Sequence, residues 1–270
     1  MNEIGPALTT ITETTSGLSC LERWRYRFSR HWILIFSVIL GLYAGLPFLA
    51  PVFMRLGWEA PGRVIYLIYS FLCHQLPQRS FFLFGPNATY SLTEIQTIWQ
   101  NTADPLILRQ FMGNAEMGWK VAWSDRMVAM YISLWLFGIL WRPLRSWLKP
   151  LPWWGFGLFL LPMAIDGTSH FVSDLYGIGQ GFRDSNAWLA SLTINAFPRD
   201  FYAGDALGSF NSWMRLLTGV LFGMGIVRFI FPYIDNTFSQ QARKLESRLY
   251  YFQQKKLDVS ISPSSGQQLP

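Results

Sequence analysis

The stretch Trp32-Ile-Leu-Ile-Phe-Ser-Val-Ile-Leu-Gly-Leu-Tyr-Ala-Gly-Leu-Pro-Phe-Leu-Ala-Pro-Val-Phe-Met54 decides the fold class. It carries no charged residue, and a helix needs roughly 20 mostly apolar residues to cross a bilayer. Pro47 and Pro51 predict a kink in its second half. Three further segments read as crossings. Met127 to Trp141 is flanked by Asp125 and Arg126. Leu151 to Ile165 starts with Trp153 and Trp154, which suit an interface. Leu216 to Tyr233 has Arg228 near its end, where a long side chain can reach the headgroups.

Composition agrees with that reading. Of 270 residues, 51% are hydrophobic and only 14% charged, against about 25% charged in a soluble domain. Formal net charge is +6. The basic residues border the apolar segments, so they read as a topology signal and not as a nucleic-acid surface. Arg23, Arg25, Arg27 and Arg30 precede the first crossing. Arg142, Arg145 and Lys149 lie between the second and third. Arg243, Lys244, Arg248, Lys255 and Lys256 follow the fourth. Four crossings put all three groups on one side, expected to be the cytosol, with both termini there.

One segment is ambiguous. Val64 to Leu72 is apolar and Ser80 to Phe84 aromatic-rich, but His74, Pro77 and Arg79 lie between, which makes a lipid-facing span costly. An interfacial or re-entrant helix with a break at Pro77 is expected over 64–84. The architecture is therefore all-α: a helical integral membrane domain of four spanning helices plus that one. The domain covers residues 32–235. Residues 1–31 form a cytoplasmic tail with a basic flank, and 236–270 a basic, polar cytoplasmic tail. Residues 1–19 and 260–270 are expected to be disordered or polar ends.

The opposite side carries two long segments, 55–126 and 166–214. In the first, Ser91 and Glu94 have capping-box spacing. In the second, Asn186-Ala-Trp-Leu-Ala-Ser-Leu-Thr193 echoes Asn211-Ser-Trp-Met-Arg-Leu-Leu-Thr218. Two amphipathic helix starts, or a local duplication, would each produce this echo. Gly219 and Gly223 allow close helix approach, within the chain or between copies.

Polar residues gather where the segments meet this second side. Arg79 follows the ambiguous segment, and Arg126 precedes the second crossing. Asp166 and His170 follow the third, Arg183 and Asn186 lie in the loop, and Arg215 precedes the fourth. Ionisable groups near hydrocarbon are costly unless paired or hydrated. A shared polar pocket at one membrane face is the functional reading. Headgroup anchoring by each residue separately is the bland one. Arginine forks match phosphate and carboxylate groups. Arg79, Arg126, Arg183 and Arg215, with Asn186 and His170, are the expected anion ligands. His74 and Asp166 are the candidates for orienting them or transferring protons. Cys73, His74, Asp125 and His170 are possible metal ligands, but their spacing is poor and no metal site is expected. Ser80, His74 and Asp166 form no recognisable nucleophile elbow. No Walker loop or GxGxxG occurs, so nucleotide binding has no support.

Several of these residues resemble an uncharacterised family of predicted prokaryotic membrane proteins, domain of unknown function 2085. The resemblance rests on Cys73-His74-Gln75 with Arg79-Ser80-Phe81, on Ser124-Asp-Arg126-Met-Val-Ala129-Met-Tyr131, and on Asp166-Gly167. Arg183-Asp-Ser-Asn186 and Arg215-Leu-Leu-Thr-Gly219 complete it, and the likeness runs over roughly residues 63–225. The family pattern has Cys where this chain has Ser124. If members pair that Cys with the one matching Cys73, as a metal or redox site, this chain lacks half of it. The resemblance implies a membrane protein and no activity or cofactor. An enzyme acting on lipid, a transporter, and a non-catalytic subunit or chaperone of a larger complex remain open. Membrane lipid is the expected partner, with a membrane protein as another and nucleic acid excluded.

Overall fold

The opening apolar stretch lies inside one helix, α1 (Cys20–Arg55). The computed structural model describes residues 19–261, with side chains through residue 254. The expected ends at 1–19 and 260–270 thus lie almost wholly outside the described residues. Pro47 and Pro51 sit within α1, yet the departure from helical dihedrals falls at His31 (φ −115°, ψ 18°). Pro47 lacks the N–H that would bond the Tyr43 carbonyl. Tyr69 donates its hydroxyl to that carbonyl instead, at 2.7 Å.

The described residues form two compact units, 19–36 with 232–261, and 37–231. In the first, the start of α1 pairs with the far part of the last helix, α10 (Phe210–Ile261). Phe28 and Phe238 meet edge to face at 5.3 Å. The Tyr26 hydroxyl donates to Glu246 at 2.9 Å, and Trp32 Nε1 donates to Asp235 at 3.2 Å. Residues 20–31 and 236–261 of the expected tails are helical.

The second unit holds the rest. Helix α2 (Glu59–Ser70) has 12 residues, too few to cross a bilayer. It buries Gly62, Ile65, Tyr66 and Tyr69 and exposes Val64, Leu67 and Ile68. That division suits an interfacial helix, but the helix ends at Ser70, ahead of the break expected at Pro77, where a three-residue 3-10 turn begins.

The all-α expectation needs one correction. After the turn comes a three-stranded antiparallel sheet: β1 (Ser80–Leu83), β2 (Gly113–Asn114) and β3 (Gly118–Ser124), in the order β1-β3-β2. Ser80 pairs with Ser124 and Phe82 with Lys120, with a bulge between. The β2–β3 turn is set by Asn114, whose side chain accepts from Glu116 N and Met117 N. Gly118 (φ +79°) lies so close to the Leu83 carbonyl that no side chain fits. Two short helices, α3 (Leu92–Ile98) and α4 (Pro105–Leu108), connect β1 to β2. The expected Ser91–Glu94 capping box is present at the start of α3. Leu76, Phe82, Ile95, Leu108 and Met117 share one core, and Tyr66, Tyr69, Val121 and Trp123 belong to another.

Strand β3 runs directly into α5 (Asp125–Leu144). Helix α6 (Trp153–Asp174) follows. Three short helices, α7 (Phe182–Ser185), α8 (Ala187–Leu192) and α9 (Arg199–Tyr202), then lead to α10. Three of the helices are long and apolar enough to cross a membrane: α1, α5 and α10 up to residue 254. Helix α6, of 22 residues with Asp166 and His170 in its second half, is not among them. The glycines of α10 serve packing within the chain. A Cβ at Gly219 would meet Arg126 O, and one at Gly223 would meet Ser133 and the backbone of Leu134.

Candidate functional site

Helical spacing places Asp166, His170 and Asp174 four residues apart on one face of α6. Asp166 and His170 are each only 4% exposed. The first turn of α5 meets this face. Arg126 on α5 donates Nη2 to Asp166 at 2.6 Å. Arg183 on α7 donates its Nη2 to the other carboxylate oxygen, also at 2.6 Å. Both oxygens of Asp166 therefore hold guanidinium groups in place. Gly167 leaves room for this, since a Cβ there would stand 3.0 Å from Arg126 Nη1.

His170 Nε2 lies 3.2 Å from Arg183 Nη2. A guanidinium only donates, so Nε2 is the acceptor and the imidazole is neutral with its proton on Nδ1. That Nδ1, together with Arg126 Nε and Arg183 Nε, is buried and has no hydrogen-bond partner among the described residues. Three buried N–H groups around one carboxylate thus retain donor capacity. Burial pushes the Arg183 guanidinium below its usual pKa, against the pull of Asp166. The Arg183 guanidinium also lies over the Phe210 ring, at 5.4 Å.

A second set of pairs is fully satisfied. Arg79 grips Asp174 with two parallel bonds of 2.7 and 2.8 Å and donates Nε to Asp205 at 2.7 Å. Arg215 donates Nε to Asp125 and Nη1 to Asp205, at 2.6 to 2.9 Å. Its Nη2 also bonds the Asp205 carbonyl. Burial alone would raise the Asp205 carboxyl, but Arg79 and Arg215 outweigh it and hold the group below its ordinary range. Burial would likewise lower Arg79, and Asp205 and Asp174 more than reverse it.

The structure thus gathers Arg79, Arg126, Arg183, Arg215, Asp166, His170 and Asn186. Four guanidinium groups face four carboxylates, so the group is neutral by count. Asn186 plays an architectural part. Its Nδ2 donates to the carbonyls of Arg183 and Tyr202 and to Asn211 Oδ1. Asn211 in turn ties the Arg183 and Gly204 carbonyls. The two echoing segments therefore meet through their leading asparagines. His74 is exposed and stands apart from the cluster, with no hydrogen bond to it among the described residues. Ser80 is buried in β1, donating to Leu76 O, and does not meet His74. Of the possible metal ligands, Asp125 is occupied by Arg215 and His170 by Arg183.

Sequence reasoning missed Asp174, Asp205 and Lys120. Asp174 continues the Asp166–His170 spacing by one more turn and was findable. Asp205 sits in an irregular loop and gave no periodic signal. Lys120 is fully buried in β3 and donates Nζ to the carbonyls of Gln75 (2.8 Å) and Arg109 (2.6 Å). Burial lowers its pKa to about 7. Close by, Cys73 Sγ accepts the Ser124 N–H at 3.4 Å, so the two positions singled out by the resemblance adjoin.

Elements that bury ion pairs at the end of apolar helices point to a membrane protein, and the comparisons agree. Residues 116–229 match the predicted membrane protein family DUF2085. The DUF2085 region holds every cluster residue except Arg79, which reaches it from upstream through Asp174 and Asp205. An uncharacterised protein of Methanocaldococcus jannaschii is 25% identical over 212 residues, covering 75% of this chain and 92% of its own length. No solved structure matches.

Proposed function

We propose that the protein crosses the membrane four times, with both termini in the cytosol, and recognises an anionic group at its outer face. Helix α6 supplies the fourth crossing. It runs beside α10 from Phe156, stacked on Phe229 at 4.4 Å, to the Asp166 pairs near the start of α10. Its apolar part, Trp153 to Ile165, is about 20 Å long, so the paired Asp166 group sits within the outer part of the roughly 30 Å hydrocarbon layer. The bond from Leu151 N to Arg228 O (3.3 Å) anchors its entry.

The observation that carries the binding reading is the trio of buried donors without partners around Asp166. Buried N–H groups are rarely left unpaired, so these are suited to an acceptor from outside the chain. Arg126 is the expected contact. It has a single side-chain bond and is the least enclosed of the four arginines, at 18% side-chain exposure. Arg183 and His170 line the same place, and Asp166 orients both arginines. Arg79 and Arg215 have spent their donors on carboxylates and act as supports. A lipid phosphate or the carboxylate of a small acid fits this donor set.

Thermal unfolding of the purified protein in neutral detergent tests the reading. Phosphatidylglycerol, inorganic phosphate and succinate are added separately. At least one is expected to raise the melting temperature of the natural protein and to leave that of Arg126→Gln unchanged. Equal shifts in both proteins, or none in either, would reject it.

A further inference from the structure

Helix α8 (Ala187–Leu192) ends in a Schellman cap. Asn195 N bonds Ala190 O at 2.8 Å, and Ile194 N bonds Ser191 O at 3.3 Å. This motif turns the chain through a left-handed residue, a place that glycine fills best. Here Ile194 fills it, at φ +52°, with Asn195 following at φ +55°. A β-branched residue in that region is a conformational outlier. The strain also presents an apolar side chain outward, since Ile194 is 88% exposed.

The surroundings have the same character. Helix α8 buries no residue in this chain, although helices usually persist by burying an apolar face. Trp188, Leu192 and Phe197 are exposed with Ile194. Residues 187–197 contain no Asp, Glu, Lys or Arg, and Arg199 and Asp200 follow at once. The base of the loop is rigid, tied by Asn186 to the Tyr202 carbonyl. Trp188 packs edge to face on Phe210, the first residue of α10, at 6.0 Å. From there α10 exposes Trp213 and Leu217, the outward face of a helix apolar enough to cross the membrane.

We propose that the loop 187–197 is a lipid anchor, inserting Leu192, Ile194 and Phe197 into the bilayer beside the start of α10. Continuity with the lipid-facing side of α10 and the lack of charge favour lipid over a protein partner as occupant. Arg199 and Asp200 mark the return to the headgroups. An apolar edge buried this way lies in the boundary between headgroups and acyl chains. Through Asn186 and Asn211, its docking also braces the Arg183 backbone.

Spin-label accessibility tests this. The full chain carrying Cys20→Ser, Cys73→Ala and Ile194→Cys is labelled with a nitroxide and placed in vesicles of phosphatidylethanolamine and phosphatidylglycerol. Labels at Leu217→Cys and Glu116→Cys give the lipid and water references. The Ile194 label is expected to favour oxygen over a water-soluble nickel chelate several-fold more than the Glu116 label does. A label as open to nickel as that at Glu116 would overturn the proposal and point to a protein partner instead. If Cys73→Ala prevents folding, Cys73 is retained. The signal is then the difference between chains with and without Ile194→Cys, judged by the same ratio.

Discussion

The ion cluster has two halves that solve one problem differently. Around Asp205, two buried arginines and three carboxylates use their donors and acceptors on one another. Around Asp166, two arginines and a neutral histidine share one carboxylate, and three N–H groups are left over. Burying a charge is tolerable only when it is paired and hydrogen-bonded. The first half meets that condition within the chain. The second leaves three N–H groups without acceptors, and its two guanidinium groups outnumber its one carboxylate, so charge balances only over both halves together. The difference separates a brace from a binding place, and it can be broken from either side.

The largest effect is expected in the brace. Arg215 bonds Asp125 and Asp205 and is 2% exposed. Arg215→Ala leaves two buried carboxylates short of a partner, which costs roughly 3–5 kcal/mol. The variant should lose most of its cooperative melting in detergent. A melting temperature within a few degrees of the natural protein would show that Asp205 is not held as described.

Lys120 sharpens the comparison, because it is a buried amine that donates to two carbonyls and to no carboxylate among the described residues. Burial lowers its pKa from 10.5 to about 7, whereas the carboxylates around Arg79 raise that group. Between those two pH values the unfolded chain binds the Lys120 proton more readily than the folded one. Stability from this group therefore rises with pH above about 7. Its slope is at most about 1.4 kcal/mol per pH unit. Lys120→Met removes the slope. The natural protein should gain stability relative to the variant as pH is raised, and parallel pH profiles would show that Lys120 is not buried as a cation.

These features were unequally legible in the sequence. The polar residues at helix ends stood out, because an ionisable group beside twenty apolar residues is rare enough to need a reason. That Arg126, Asp166, Arg183 and Arg215 meet followed from counting crossings. Their partners did not follow. A carboxylate in an irregular loop, as Asp205 is, leaves no period to read. The sheet was hidden for another cause. Residues Lys120 to Trp123 of β3 are all buried, so the strand shows no alternation of polar and apolar residues. It reads as an aromatic loop crossed by one lysine. The link between positions 73 and 124 was visible only through the resemblance, and β1–β3 pairing explains why they adjoin.

The smallest effect is expected where the sequence pointed most directly to function. Arg126→Gln removes one bond to Asp166, which keeps its bond to Arg183 at 2.6 Å. The glutamine amide can still donate to the free oxygen, and water reaches a side chain that is 18% exposed. The loss in stability should be roughly 1.5–3 kcal/mol, the net worth of a hydrogen bond to a charged group. In neutral detergent without added anion, the variant should melt within a few degrees of the natural protein. A loss as large as that of Arg215→Ala would place Arg126 in the brace. The two halves would then be one structural unit, and the leftover N–H groups would have no claim to be a binding place.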